Sequence, residues 1–340
     1  MSSMSYEASR SHIFHRINAF DGADFDELAL EVFHFQARHN DLYRRYLSLL
    51  GISADAISQP AEIPFLPIQF FRNYRVKTGE WTEEAVFSSS GTTGASTSFH
   101  AVRSLSFYRE NARRIYRHFY GDPAEHGMLA LLPSYLERSG SSLVCMAEHF
   151  ISLSRWPRSG FFLNNVEELV AVLRKVSAGE AAGAPARIVL LGVSFALLDL
   201  AERFPIPLNN VIVMETGGMK GRRRELTREE LHGTLMKAFH LPSVHAEYGM
   251  TELFSQAYSH SGGLFLPGPL MRVYAREITD PLSLQQPGKT GVLNVMDLAN
   301  FDTCSFIATD DLGRVGEDGS FEVLGRVDNS DIRGCNLLVG

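Results

Sequence analysis

Apolar residues recur at helical spacing over 23–50, at Phe25, Leu28, Val32, Phe33 and Phe35 and again at Leu42, Tyr46, Leu49 and Leu50. The spacing predicts a long helix that Gly51 stops. Pro60, Pro64 and Pro67 then interrupt any regular pattern, so 63–71 reads as an extended or turn-rich connector. A short apolar run at 85–87 predicts a strand leading directly into Ser88, Ser89, Ser90, Gly91, Thr92, Thr93 and Gly94. The segment 104–120 follows as a helix with a hydroxyl cap, and Gly121 ends it.

From there strand-like and helix-like runs alternate. Compact apolar runs at 128–132, 160–163, 188–191 and 211–214 predict strands, and 141–153, 166–177, 195–204 and 227–239 predict helices. This alternation implies an α/β sheet covered on both faces. Past Gly262 the pattern changes to strands at 270–274, 291–297, 305–309 and 320–324, separated by Pro-Gly and Asp-Gly turns. The expected division is therefore an α/β core with an N-terminal helical segment over 1–262, and a β-rich subdomain over 263–340.

Composition narrows the class. The 340 residues suffice for one large domain or two closely packed lobes. A net charge of −7 argues mildly against a nucleic-acid or anionic-membrane surface. The local cluster Arg222-Arg223-Arg224 fits a solvated stretch or a phosphate contact. Cys145, Cys304 and Cys335 have neither CxxC nor zinc spacing, which suits a reducing compartment. Residues 1–11 lack the apolar core of a secretory signal, and no run reaches the ~18 apolar residues of a membrane helix. A cytoplasmic protein without a membrane span is expected.

Four segments carry candidate chemistry. The hydroxyl–glycine loop after the 85–87 strand places backbone N–H groups and hydroxyls where they can converge on an anion. It lacks the Gly-Lys-Ser/Thr of a Walker A loop, and a polar surface turn is an equal reading. Glu247-Tyr248-Gly249-Met250-Thr251-Glu252 combines a ring for a base, a hydroxyl for a phosphate and a carboxylate for Mg²⁺. A strand end with Thr251 capping a following helix is the alternative. Thr309-Asp310-Asp311-Leu312-Gly313 reads by itself as a turn with aspartate capping. Gly325-Arg326-Val327-Asp328 reads as an ion pair on a loop.

The order of these four segments resembles the signature of the adenylate-forming superfamily, which includes acyl-CoA synthetases and phenylacetate-CoA ligases. Within it the chain most resembles the LuxE-like acyl-protein synthetases of the bacterial fatty-acid reductase complex, over nearly its whole length. The resemblance implies the superfamily's N-terminal domain, with covered α/β sheets and a β-rich subdomain, and with the mobile C-terminal domain absent. It implies ATP and Mg²⁺ as cofactors. Ser89, Ser90, Gly91, Thr92, Thr93 and Gly94 would cradle the β- and γ-phosphates. Tyr248 and Gly249 would meet adenine, Thr251 the α-phosphate, and Glu252 the metal. Asp311 would accept from the ribose hydroxyls, with Arg326 close by, and Gly217 and Gly218 would line the adenine and acyl pocket.

Two departures accompany the resemblance. Many relatives carry a lysine just after the phosphate loop, where this chain has Ala95-Ser96-Thr97-Ser98; Lys220, Arg222 or His100 are the candidate replacements. The sequence also ends soon after Gly325, where a domain bearing a catalytic lysine would begin, a truncation that the LuxE-like proteins share. Their acyl group is carried on a cysteine near the C-terminus, and Cys335, behind Arg333 and Gly334, matches it best. A small buried hydrophobe is the other reading of Cys335, and Cys145 and Cys304 read as core residues. His245 could line the acyl pocket or be structural. Tyr135 and Arg138 could shape the mouth of the acid site.

The expected function is activation of a carboxylic, by resemblance fatty, acid to an acyl-adenylate. Transfer to a cysteine thiol and on to a protein partner, such as a reductase or carrier protein, would follow. Delivery to an external acceptor (carrier protein, CoA or amine) is one alternative, and a non-catalytic nucleotide- or acyl-binding subunit is another.

Overall fold

Asn40 divides the long N-terminal helical repeat in two. In the computed structural model, which describes residues 5–89, 97–133, 140–163, 165–217 and 226–327, the chain opens with α1 (Tyr6–Ala19), α2 (Phe25–His39) and α3 (Asp41–Leu49). The Asn40 side-chain oxygen accepts from the Tyr43 N–H, and its amide donates to the Thr303 carbonyl at 2.9 Å. The side chain thus caps one helix while tying its start to a distant loop, and the periodicity of apolar residues contains neither bond. Helix α1 has no strong sequence signal because only Ile13 and Ile17, four residues apart, are buried in it. Ser5 caps it by accepting from Ala8.

The connector contains β1 (Leu66–Pro67) and the single-turn α4 (Phe70–Asn73). Next come β2 (Ala85–Ser88) and β3 (Phe99–Val102), a two-stranded antiparallel ribbon, and α5 (Leu105–Tyr120), capped by Ser104. Alternation then holds through β4 (Gly127–Leu131), α6 (Ser142–Leu153), β5 (Gly160–Phe161), α7 (Val166–Ser177), β6 (Ile188–Val193), α8 (Ser194–Arg203), β7 (Val211–Thr216), α9 (Arg228–Phe239) and β8 (His245–Tyr248). The remainder is strand-rich: β9 (Ala257–Ser259), β10 (Leu264–Pro267), β11 (Met271–Arg276), β12 (Gly291–Asp297), β13 (Phe306–Val315) and β14 (Phe321–Arg326).

These elements form two compact units. One comprises the described residues of Met1–Phe70, Val76–Glu80 and Pro269–Gly340, so the N-terminal helices group with the C-terminal strands. The other comprises those of Phe71–Arg75 and Trp81–Gly268.

In the first unit β11, β12, β13 and β14 run antiparallel in that order. Strand β13 is longer than the predicted 305–309 because its second edge serves two partners. Strand β1 pairs in parallel with Ile307 and Ala308, and β14 pairs farther along, from Asp311 to Val315. Asp310 and Asp311 therefore lie inside a strand, which corrects the expectation of a turn. Helix α2 is tied to the loop before β13 by Gln36, which is fully buried. Its oxygen accepts from the Ser305 N–H at 3.0 Å, and its amide donates to the carbonyls of Asn300 and Phe301.

In the second unit β5, β4, β6, β7 and β8 are parallel neighbours in that order, and β9 and β10 continue the sheet antiparallel. Every residue of β4 and β6 is buried, the mark of central parallel strands covered on both faces. The carboxyl ends of β6, β7 and β8 point the same way, and in such sheets that edge is where ligands bind.

Candidate active site

The hydroxyl–glycine loop is carried by the β2–β3 ribbon. Its neck is closed by two hydrogen bonds, from the Ser89 N–H to the Ser98 carbonyl at 3.0 Å and from the Ser98 N–H to the Ser89 hydroxyl at 2.9 Å. The Ser88 N–H donates to the Gly140 carbonyl at 2.7 Å. Gly140 holds a positive φ of 89°, and a β-carbon there would lie 2.8 Å from the Val86 carbonyl, so only glycine fits. Ser90, Gly91, Thr92, Thr93 and Gly94 lie outside the described residues, as do Gly218, Lys220, the 222–224 arginines, Tyr135, Arg138 and Cys335.

Tyr248 ends β8, and Gly249, Met250, Thr251 and Glu252 form a turn, with Leu253 N–H donating to the Met250 carbonyl. No helix starts at Thr251; the chain passes through turns to β9. The Tyr248 ring packs against Phe265 with centroids 5.8 Å apart, and its hydroxyl lies 3.9 Å from the Met250 sulfur. Glu252 is buried.

Two side chains brace this turn. His100, on β3, places Nδ1 2.9 Å from the Thr251 carbonyl oxygen and packs against Phe71 and Phe254. Burial pulls its imidazolium pKa down to about 4, so the ring is neutral near pH 7 and Nδ1–H is the donor to the carbonyl. A buried, neutral histidine supplies no charge to phosphates, which removes His100 as a substitute for the missing lysine. From α5, the Asn111 amide donates to the Phe254 carbonyl at 3.1 Å. Sequence reading had no signal for Asn111, whose role depends on a partner 143 residues away.

Gly217 follows β7 with φ 67°, and its carbonyl accepts from the Ser194 hydroxyl at the start of α8. Beside it the Thr216 hydroxyl donates to Glu247, and Ser194 also donates to Glu215 at 3.1 Å. Arg228 Nε lies 3.3 Å from Glu215 and His232 Nε2 3.6 Å from it. His245, at the opposite end of β8 from the turn, contacts Tyr120 and His260. Burial, with His260 and Arg187 adding, draws its pKa down to about 4. Of the two readings of His245, acyl-pocket lining or structural, its place at the start of the strand against Tyr120 and His260 favours the structural one.

In the first unit Asp311 and Arg326 are register partners across β13 and β14, and Arg326 Nε donates to Asp311 Oδ1 at 3.0 Å. This ion pair spans paired strands; Asp328, the aspartate expected to pair with Arg326 on a loop, lies outside the described residues. Asp311 is buried, and its own N–H donates to the Thr309 hydroxyl, which in turn donates to the Leu293 carbonyl. The Arg326 side chain is 75% exposed. Cys304 is fully buried, which pushes its thiol up to about 12; Cys145, on α6, is half-buried.

A Mg²⁺ ion bound with ATP needs one or two protein carboxylates, because phosphates and waters complete its shell. Among the described residues no cluster of three or more histidine, cysteine or acidic side chains could hold a metal by itself. A single carboxylate at Glu252 suits an ion that arrives on the nucleotide. No helix among the described residues is long and apolar enough to cross a membrane.

No protein-family model and no curated protein sequence matches the chain. Solved structures do. The 2-hydroxyisobutyryl-CoA ligase HCL, in its postadenylation state with R3-HIB-AMP, aligns with a TM-score of 0.64 at 14% identity, over 89% of this chain and 68% of that one. ATP-bound MatB from Rhodopseudomonas palustris aligns at 0.52 and 15% identity over 71% of this chain, which spans about half of MatB's length (48%). The O-succinylbenzoate coenzyme A synthetase MenE from Bacillus subtilis, with AMP, aligns at 0.50 and 17% identity over 74% of this chain and 50% of that one. The chain has the mixed α/β fold of the N-terminal domain of adenylate-forming enzymes.

Proposed function

We propose that the chain activates a carboxylic acid with ATP and passes the acyl group to a thiol. The observation that carries this reading is the Tyr248–Glu252 turn at the carboxyl edge of β8, braced through His100 by the strand that leaves the hydroxyl–glycine loop. Ser89 to Gly94 would hold the β- and γ-phosphates by backbone N–H and hydroxyl donors. Tyr248, Gly249, Gly217 and Gly218 would receive the adenine. Thr251 would donate to the α-phosphate, and Asp311 with Arg326 would take the ribose hydroxyls.

A carboxylate oxygen of the acid attacks the α-phosphorus, the bond from that phosphorus to the β-bridging oxygen breaks, and pyrophosphate leaves. Little covalent help is needed, and fixed donors in a dry site do most of the work. Glu252 would hold Mg²⁺, which when bound neutralises phosphate charge. The product is a mixed anhydride. The Cys335 thiolate would then attack its carbonyl carbon and expel AMP, leaving a thioester for a protein partner such as a reductase or carrier. Cys304, buried with its thiol pushed up to about 12, is unsuited to that step. The fatty character of the acid, Cys335 as acceptor and the LuxE-like assignment rest on the sequence resemblance.

A second acceptor has its own support: HCL has also been solved with 2-HIB-AMP and CoA together, and it aligns over 89% of this chain. Incubation with ATP, Mg²⁺ and a panel of acids, following pyrophosphate release and intact protein mass, separates the readings. Release with a thioester adduct lost in Cys335→Ser supports the internal acceptor. Release without an adduct supports CoA, a carrier protein or an amine. No acid-dependent release across the panel overturns both and leaves a non-catalytic binding subunit.

A further inference from the structure

Glu215 stands two residues before Gly217, near the carboxyl end of β7, and is 5% exposed. Side chains from two other elements engage its two carboxylate oxygens. Ser194, which opens α8, places its hydroxyl 3.1 Å from Oε2, and the same hydroxyl bonds the Gly217 carbonyl, one hydrogen serving two acceptors. Arg228, which opens α9, donates from Nε to Oε1 at 3.3 Å. The Arg228 guanidinium carbon lies 5.0 Å from the centre of the Phe265 ring on β10, and Phe265 packs against Tyr248 with centroids 5.8 Å apart. We propose, on the reading of Gly217 and Tyr248 as adenine contacts, that Glu215 is a positioning residue for both. It holds the Gly217 backbone through Ser194 and the Tyr248 ring through Arg228 and Phe265.

All of these residues belong to the second unit. Gly217 has no side chain by which to be held, so the setting of its backbone at φ 67° depends on bonds such as the one from Ser194. Glu215 fixes that serine. On the other arm, the bond from Arg228 to a buried carboxylate is charge-assisted, and a cation near an aromatic ring adds attraction. Gly263 makes room for this arm. It holds φ 73°, and a β-carbon there would come within 2.4 Å of the Arg228 Cδ, so a side chain would push the arginine away. His232, one turn farther along α9, brings Nε2 to 3.6 Å from the same Oε1.

Glu215→Leu in the full chain keeps an apolar volume and ends both bonds. Calorimetry with ATP and with inorganic tripolyphosphate, each with Mg²⁺, separates the base contacts from the phosphate contacts. Glu215→Leu should bind ATP about tenfold more weakly and tripolyphosphate within about twofold of wild type. In acid-dependent pyrophosphate release its KM for ATP should rise about tenfold, with kcat within about twofold. Glu215→Gln, which can still bond both partners, should recover part of the loss. Arg228→Met alone should weaken ATP about threefold, yet add less than about twofold to Glu215→Leu, because both act on one path. In protein labelled with ring-¹³C tyrosine, the Tyr248 signal, assigned by Tyr248→Phe, should shift in Glu215→Leu and in Arg228→Met. If the wild type binds no ATP, the nucleotide reading fails and the Tyr248 signal still decides the role of Glu215. If Glu215→Leu does not fold, Arg228→Met, at a side chain 29% exposed, decides by the same two readouts. Equal weakening of ATP and tripolyphosphate, full additivity of the two substitutions, or an unmoved Tyr248 signal overturns the proposal.

Discussion

His100 Nδ1 and the carbonyl oxygen of Thr251 lie 2.9 Å apart, joining the strand that follows the hydroxyl–glycine loop to the turn that holds Glu252. Removing the donor leaves a part-buried carbonyl without that partner, at about 1 kcal/mol. His100→Phe is expected to lose stability by that order in urea denaturation and to lower ATP–pyrophosphate exchange by about tenfold or more. His100→Asn, which can present an N–H near the same place, should recover part of both.

The same histidine makes stability depend on pH. Its folded pKa, about 4, is below the ordinary 6.5, as is that of His245, also about 4. In this window the unfolded chain binds more protons than the native one. The stabilising contribution is present above pH 6.5 and is lost as pH falls towards 4. Chemical denaturation between about pH 7 and about 4.5 should show stability declining, and His100→Phe should decline less steeply.

Glu252 and Asp311 are expected to fail at different points. Glu252→Gln should cut acid-dependent pyrophosphate release by about a hundredfold or more, the scale of losing one group that stabilises transition-state charge. Asp311→Ala should raise KM for ATP by about tenfold or more, as loss of ribose hydrogen bonds does. Equal loss of ATP binding in both variants would contradict this division of roles.

Arg326 separates binding from stability. With its side chain 75% exposed, its pair with Asp311 contributes less than about 1 kcal/mol to folding. Arg326→Ala should melt within a few degrees of wild type while binding ATP more weakly by calorimetry. A large drop in melting temperature would show that the pair is structural.

Asn40→Ala tests the first unit by itself. It removes a helix cap and one of two donors to the Thr303 carbonyl, which still accepts from the Thr78 hydroxyl at 2.6 Å, at about 1–2 kcal/mol in total. Urea denaturation should show that loss.

Much of the fold and part of the candidate site were legible in the chain. Buried strands such as β4 and β6 must be continuously apolar, and helices such as α5 carry their caps in the adjoining residues, so local pattern determined the α/β alternation and the change to strands past Gly262. The Tyr248–Glu252 turn and the hydroxyl–glycine loop were visible because their chemistry is contiguous. Tertiary structure decided what depends on partners far along the chain. Asn40 ends a helix through Thr303, β13 extends through the aspartates because β1 and β14 share its edge, and His100 is a buried brace for Thr251 rather than a counter-charge for phosphate. Glu215 reads as one more acid in the sequence. Only the approach of α8 and α9 to the end of β7 brings Ser194 and Arg228 to its carboxylate, because hydrogen bonding depends on distances that sequence neighbours do not set.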